Sequence, residues 1–276
     1  VGLGLQTAIA TQSLRASVIA GGALTVAAGI AAAFAMPEAG FRRRAPGERL
    51  SAAGELRMTA VIGARFVRAQ PLLLFMIAIT FFAGMSTEAV DRLWEAHFIR
   101  DIGLPSVWSL DPVVWFALFG VPALPIGYFA AGYLARRFEG ADAPRLARML
   151  LLLTAVLMVS QAAFGLATAI ALGYGSLLVY RVARSLTYPL YMTWLNQQIT
   201  DSRVRATAIS ITNQSDAIGQ ALGGPGLGAI GNVWGIRAAL CAGAAVLAPA
   251  LGLYGRALRH AGREPELANL PSPVEV

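Results

Sequence analysis

Lysine is absent from this chain of 276 residues, and all 22 basic residues are arginine. Charge of either sign is scarce, at 13% of residues against about 25% in an average soluble protein. Cysteine occurs once, at Cys241 inside an apolar stretch, which excludes an internal disulfide and argues against redox chemistry. Histidine occurs twice, at His97 and His260, too far apart in sequence for metal-ligand spacing, so neither a metal nor a cofactor is expected. These shortages weigh against an enzyme as well. A membrane acyl or glycosyl transferase needs a clustered catalytic set at an interface, and two isolated histidines do not supply one. A basic segment followed by an apolar core and a small-residue cleavage site, the mark of a signal peptide, is not evident. The chain opens at Val1 as if midway through a helix, and the expectation is a fragment missing its N-terminal part.

What is abundant is apolar. Hydrophobic residues make up 57% of the chain, and the mean hydropathy is +0.61, which implies an integral membrane protein. The net charge of +7 does not point to nucleic acid, because the arginines cluster in short loops between apolar spans. A bilayer needs about 20 apolar residues per helix. By that measure residues 1–10 are the tail of a truncated span. Complete spans follow at 16–36, 71–87, 112–135, 149–168, 172–196, 206–232 and 237–255. The 71–87 span continues as an amphipathic extension through Glu88, Asp91, Arg92 and Glu95. Pro122 and Pro125 predict a kink inside 112–135. Gly173-Tyr174-Gly175 is expected to form the turn between the spans on either side of it. The span at 16–36, rich in alanine and glycine, is expected to pack against other helices. Residues 38–70 form the longest polar connection, with Met58, Ile62 and Phe66 on one helical face and Arg57, Arg65 and Arg68 on another. That pattern reads as an amphipathic helix on the membrane surface or as a solvated loop helix. The tail from Arg256 is polar and expected to be disordered.

Sixteen arginines fall on one side of these spans: seven in the long connection, four at 136–148, two at 203 and 205, and three in the tail. Four lie on the other side, Arg15, Arg92, Arg100 and Arg237. The rule that cytoplasmic loops are the basic ones makes the first side the inside. Trp94, Trp108, Trp115 and Trp234 then fall at the outer interface and Trp194 at the inner one, as an aromatic belt requires. The expected location is the cell inner (plasma) membrane, crossed many times.

Three ionisable side chains interrupt the apolar segments: Arg181, Arg184 and Asp216. A charge at mid-membrane costs about 2.5–3.5 kcal/mol on insertion scales, so each needs a partner or a wet cavity. Arg184 lies about 18 Å from the inner face and Asp216 about 15 Å, at 1.5 Å per helical residue. Matching depth on consecutive spans makes Arg184–Asp216 the favoured pair, with Arg181 a turn further out. The three serve either a transport pathway or a structural ion pair between helices. Asn213, Gln214, Tyr188 and Tyr191 are candidates for lining a substrate site, or else for packing and bonding between helices. Glu88 and Asp91 are candidates for an outer vestibule, or mark a helix end emerging into water. Gly224, Pro225 and Gly228 leave one helix face almost bare, which predicts close approach of a neighbouring helix.

The run Leu177-Leu-Val-Tyr-Arg181-Val-Ala-Arg184-Ser185 resembles the arginine motif of the fourth helix of major facilitator superfamily transporters, repeated in the tenth. Gln220-Ala-Leu-Gly-Gly224-Pro225-Gly-Leu-Gly228 resembles the antiporter motif of the fifth helix, repeated in the eleventh. Gly132-Tyr-Leu-Ala-Arg136-Arg137 is similar to the loop motif between helices eight and nine, but has Arg136 where the motif has an acid, which leaves out the acid–arginine latch. Ser86-Thr-Glu-Ala-Val-Asp91-Arg92-Leu-Trp94-Glu95-Ala-His97 looks like bacterial drug-efflux members related to macrolide and tetracycline exporters. The resemblance implies an all-α polytopic fold. Residues 1–36 would end the N-terminal bundle, 37–70 form a basic cytoplasmic loop, 71–255 form the C-terminal six-helix bundle, and 256–276 form a tail. It also implies proton-coupled efflux of small amphipathic compounds by rocking of two bundles about a central site. The partners would be a small-molecule substrate, a proton or other coupling ion, and the lipid bilayer. A metabolite importer or symporter of the same fold, or a non-transporting membrane fragment, are the alternatives.

Overall fold

The computed structural model describes residues 11, 13–35, 71–105, 110–199 and 202–268, without the side chains at 14, 202–204 and 260–268. The truncated span at 1–10 and the surface helix expected within 38–70 lie outside the described residues. Among the described residues there is no strand. The helices are α1 (Leu14–Ala35), α2 (Pro71–His97), α3 (Pro112–Gly120), α4 (Ala123–Arg137), α5 (Ala143–Leu166), α6 (Ile170–Gln198), α7 (Ser202–Trp234), α8 (Ile236–Ala245) and α9 (Ala248–Ala268). Five stretches are long and apolar enough to cross a membrane: Arg15–Ala35, Pro71–Ile102, Pro112–Arg137, Ala143–Leu166 and Ile236–Arg259. The chain is an all-α, multi-pass membrane protein. Helices α6 and α7, of 29 and 33 residues, are also long enough to span but are not among the five. They are the two that carry Arg181, Arg184 and Asp216.

Local chemistry sets the boundaries. Asp111 caps α3 by accepting from the Val113 N–H at 2.8 Å, with Pro112 supplying the preset backbone angle of the first turn. Pro122 has no N–H to give, and the helical stretch breaks at Val121–Pro122, where the kink was predicted. Between α7 and α8 the chain turns at Gly235, whose φ of 88° suits glycine. Two boundaries differ from expectation. The break before α6 falls at residues 167–169, and Gly173 lies within α6. A Cβ there would stand 2.6 Å from Ile102 Cδ1, so this glycine serves close packing and not a turn. The stretch from Arg256, expected to be disordered, continues as α9 to Ala268.

The described elements fall into two compact units. One contains α1 and α3. The most apolar window of α1 is unburied and Ser17 alone of its described residues is buried, so the packing its alanines and glycines predicted is not seen among the described residues. The other unit contains α2 and α4–α9. In it α2 runs along α7, α5 runs along α6, α8 and α9 pack against both α2 and α5, and α4 lies on α6. By contrast α2 and α6 touch at few points.

The α2–α7 seam is closed by glycine. A Cβ on Gly219 would collide with the Phe81 carbonyl, one on Gly223 would stand 2.6 Å from the Met85 carbonyl oxygen, and one on Gly84 would collide with the Asp216 backbone. Helices in lipid gain by such close approach because lipid tails offer no competing hydrophobic drive. The predicted site of approach was one turn further on. Gly224 would meet only Glu88 Oε2, at 3.3 Å, and Gly228 faces open space.

Buried polar side chains tie the remaining helices together. Gln161 on α5 is fully buried; its amide nitrogen donates to the Ser86 and Leu240 carbonyls at 3.3 Å each, and its oxygen accepts from Ser86 Oγ at 3.1 Å. His97 is likewise fully buried, with Nε2 at 2.9 Å from the Phe164 carbonyl and Nδ1 at 2.7 Å from Asp101. Trp194, expected at an interface, is buried in the core, edge-on to Tyr191 and tilted against Tyr254.

Candidate functional site

Three helices of the second unit carry a polar stripe of helical period. On α2 it is Thr80 and Thr87; on α6, Arg184, Thr187, Tyr188 and Tyr191; on α7, Thr212, Asn213, Asp216 and Gln220. Residues three, four and seven apart share a helix face, so each stripe presents one edge. All three edges border one cavity of about 220 Å³, completed by Thr154 and Leu157 of α5 and Tyr254 of α9. Much of the hydroxyl chemistry there is already engaged. Thr80 donates to the Ile77 carbonyl at 2.9 Å, Thr154 to Leu150 at 2.8 Å and Thr212 to Ala208 at 2.9 Å. Tyr191 is buried and donates to the Met76 carbonyl at 3.2 Å, which pins its ring; Tyr188 stays exposed at the cavity edge.

The charged groups are arranged differently from the depth argument. Arg184 and Asp216 both line the cavity, but the ion pair of Arg184 is with Asp91 on α2. It is bidentate, Nη1 to Oδ1 at 2.6 Å and Nη2 to Oδ2 at 2.9 Å, the geometry that matches guanidinium to carboxylate. Asp216 instead accepts from Gln220 Nε2, one turn along its own helix, at 2.7 Å. Arg181 places its guanidinium carbon 4.3 Å from the centre of the Trp94 ring, a cation–π contact. Glu88 is buried and pairs with Arg92 within α2 at 2.6 Å.

Of the candidates, then, Arg184, Asp216, Asn213, Tyr188 and Tyr191 border one cavity. Gln214 is exposed and does not line it. Neither do Glu88 and Asp91; the first holds Arg92 and the second holds Arg184. Arg181 belongs with Trp94. Gln220, Thr80, Thr87, Thr154, Thr187, Thr212 and Tyr254 also line the cavity and were not among the candidates, although the period on α7 passes from Asp216 directly to Gln220. Among the described residues no three of His, Cys, Asp and Glu come together to hold a metal ion. Compared with protein-family models and with curated proteins, the chain matches none.

The arrangement leaves Arg184 neutralised by a residue outside the cavity wall, and one carboxylate, Asp216, inside it with an amide neighbour. Around them are aromatic and aliphatic surfaces. Such a lining orients a small ligand by a few polar contacts and encloses it by apolar ones.

Proposed function

We propose that the chain is the carboxyl-terminal part of a secondary active transporter of the major facilitator type. It moves small amphipathic compounds across the inner (plasma) membrane by alternating access, coupled to a proton or another ion. The observation that carries this reading is the cavity. A protein apolar enough to cross a membrane many times brings a guanidinium, a carboxylate, two amides and three phenols to one internal space. Ionisable groups inside spanning helices are costly and mark substrate or ion pathways.

Further support comes from the cavity's chemistry and size. The threonine hydroxyls named above are bonded to backbone carbonyls, and no hydroxyl or thiol there meets a base, which favours holding a ligand over breaking one. At about 220 Å³ the space is below the range of roughly 300–1,000 Å³ common for drug-sized ligands, which suits a small compound. The succession of arginine motif, short basic turn and Gly-Pro motif along 177–228 agrees with the same reading.

The test is flux through the full-length protein that contains this chain, in sealed proteoliposomes carrying an internal pH indicator. Small amphipathic amines, acids and neutral solutes are offered under an imposed proton gradient. At least one class is expected to move protons or to be moved by them, and Asp216→Asn is expected to reduce that movement at least tenfold. Correctly folded protein that conducts none of the classes under either gradient direction refutes the reading.

A further inference from the structure

We propose that this protein holds an anionic phospholipid in a groove at the start of α5, with the headgroup among Arg137, Arg145 and Arg148 and one acyl chain along α5. The proposal is independent of the transport reading. It rests on two adjoining spaces with complementary linings.

The first space, of about 560 Å³, lies between the end of α4 and the first turns of α5. Its charged lining is three arginines, all exposed. Arg145 has a weak partner in Asp142, at 3.5 Å with both side chains largely in solvent. Arg137 and Arg148 form no ion pair among the described residues. Three guanidinium groups line the groove and no carboxylate does, Asp142 and Glu139 lying beside it in the chain, so the groove is positive. Guanidinium groups match phosphate oxygens in pairs, and such basic pockets beside membrane helices take lipid headgroups. Beneath the arginines the lining changes to Leu134, Met149 and Leu152.

Leu152 is also the first residue of the second space, an open furrow of about 530 Å³ between α5 and α6. Its wall on α5 continues through Val156 and Val159, and its wall on α6 is Leu172 and Val179, all exposed. The two serines that reach it are silent. Ser160 donates to the Val156 carbonyl and Ser176 to the Leu172 carbonyl, both at 2.6 Å. Arg145, Arg148, Leu152, Val156 and Val159 recur at intervals of three and four, so one stripe of α5 passes from charge to hydrocarbon. From Arg148 to Val159 that stripe runs roughly 16 Å along the helix. A basic head site continuous with an apolar furrow is the shape of a phospholipid. A free phosphate would use the first space and leave the second without a role.

Native mass spectrometry of the full chain in detergent measures this directly. The probes are palmitoyl-oleoyl phosphatidylglycerol, phosphatidylcholine with the same chains, and glycerol 3-phosphate. Phosphatidylglycerol is expected to bind at least tenfold tighter than either of the others. Arg137→Gln and Arg148→Gln should each weaken it about fivefold, the effect of one arginine at a charged membrane surface, and leave phosphatidylcholine unchanged. Leu152→Asn should weaken both lipids. Arg259→Gln, an exposed arginine away from the groove, should change nothing. Equal binding of the two lipids overturns the proposal. So does glycerol 3-phosphate binding as tightly as phosphatidylglycerol, which would make this a phosphate site. An equal loss in Arg259→Gln would mean general charge attraction and would overturn it too.

Discussion

Gly223→Ala and Gly228→Ala make the same chemical change five residues apart on α7 and are expected to have opposite effects. At Gly223 the added Cβ would lie 2.6 Å from the Met85 carbonyl oxygen and 2.8 Å from its Cα. Backbone cannot step aside as a side chain can. To bring 2.6 Å out to the 3.4 Å where ordinary contact begins, α2 and α7 must separate by about 0.8 Å. That gap is too narrow to fill, so the seam loses contact on both sides of the new methyl. Overpacking of this kind costs roughly 1–3 kcal/mol, against which alanine returns up to about 1 kcal/mol of helix propensity over glycine. The net expectation for Gly223→Ala is a loss of up to about 2 kcal/mol. At Gly228 no atom lies within 4 Å of the added Cβ, so only the propensity gain applies. Thermal unfolding of the two variants in the same detergent, followed by far-ultraviolet circular dichroism, should displace the midpoint downwards for the first and slightly upwards for the second. Equal midpoints would refute the claim that the α2–α7 seam is held at glycine contact distance.

Three further outcomes follow from the same geometry. In a double-mutant cycle on unfolding, Arg184→Gln with Asp91→Asn should show a coupling of about 1 kcal/mol, the upper range for a half-exposed pair, and Arg184→Gln with Asp216→Asn should show much less; the reverse order would restore the pairing drawn from depth alone. Gln161→Leu should lower stability by about 1–3 kcal/mol, because the amide's three hydrogen bonds are lost in a fully buried site, and an unchanged midpoint would show that the amide contributes nothing net. In a background where Cys241 is serine, a cysteine at Arg145 should react only with reagent on the cytoplasmic side and one at Arg100 only from outside; labelling of both from one side would refute the arginine-bias topology.

The seven complete spans read from apolar run length fall largely on helical residues, and five of them lie in stretches long and apolar enough to cross a membrane, because a bilayer's thickness imposes a length that the sequence must display. Partnerships between helices were harder to read. Arg184 was matched to Asp216 by counting depth along two consecutive helices. Its partner lies 93 residues away on α2, and chain order says nothing about which helices adjoin. A signal was nonetheless present. Asp91 and Trp94 are three residues apart on α2, as Arg181 and Arg184 are on α6, so two facing stripes of complementary type were legible once paired. The glycines misled for a similar reason. Gly224-Pro225 draws attention as a motif, but bareness of a face matters only where a neighbour comes close. That neighbour, the backbone of Phe81 and Met85, cannot be seen from α7 alone. Trp194 is of a residue type that anchors at interfaces, and its burial depends on Tyr254 of α9, a neighbour that α6 alone does not reveal.

Gln161 has a consequence for how the helices of this unit are aligned along their length. Apolar helix surfaces in lipid tolerate sliding past one another, since one leucine ridge serves nearly as well as the next. An amide that must meet a carbonyl on α2 and another on α8 does not tolerate it. A slip of one turn, about 5.4 Å, would part it from both carbonyls and from the Ser86 hydroxyl at once, and that hydroxyl has no counterpart a turn away. One polar side chain thus fixes the vertical offset among three helices that their oily faces leave undetermined.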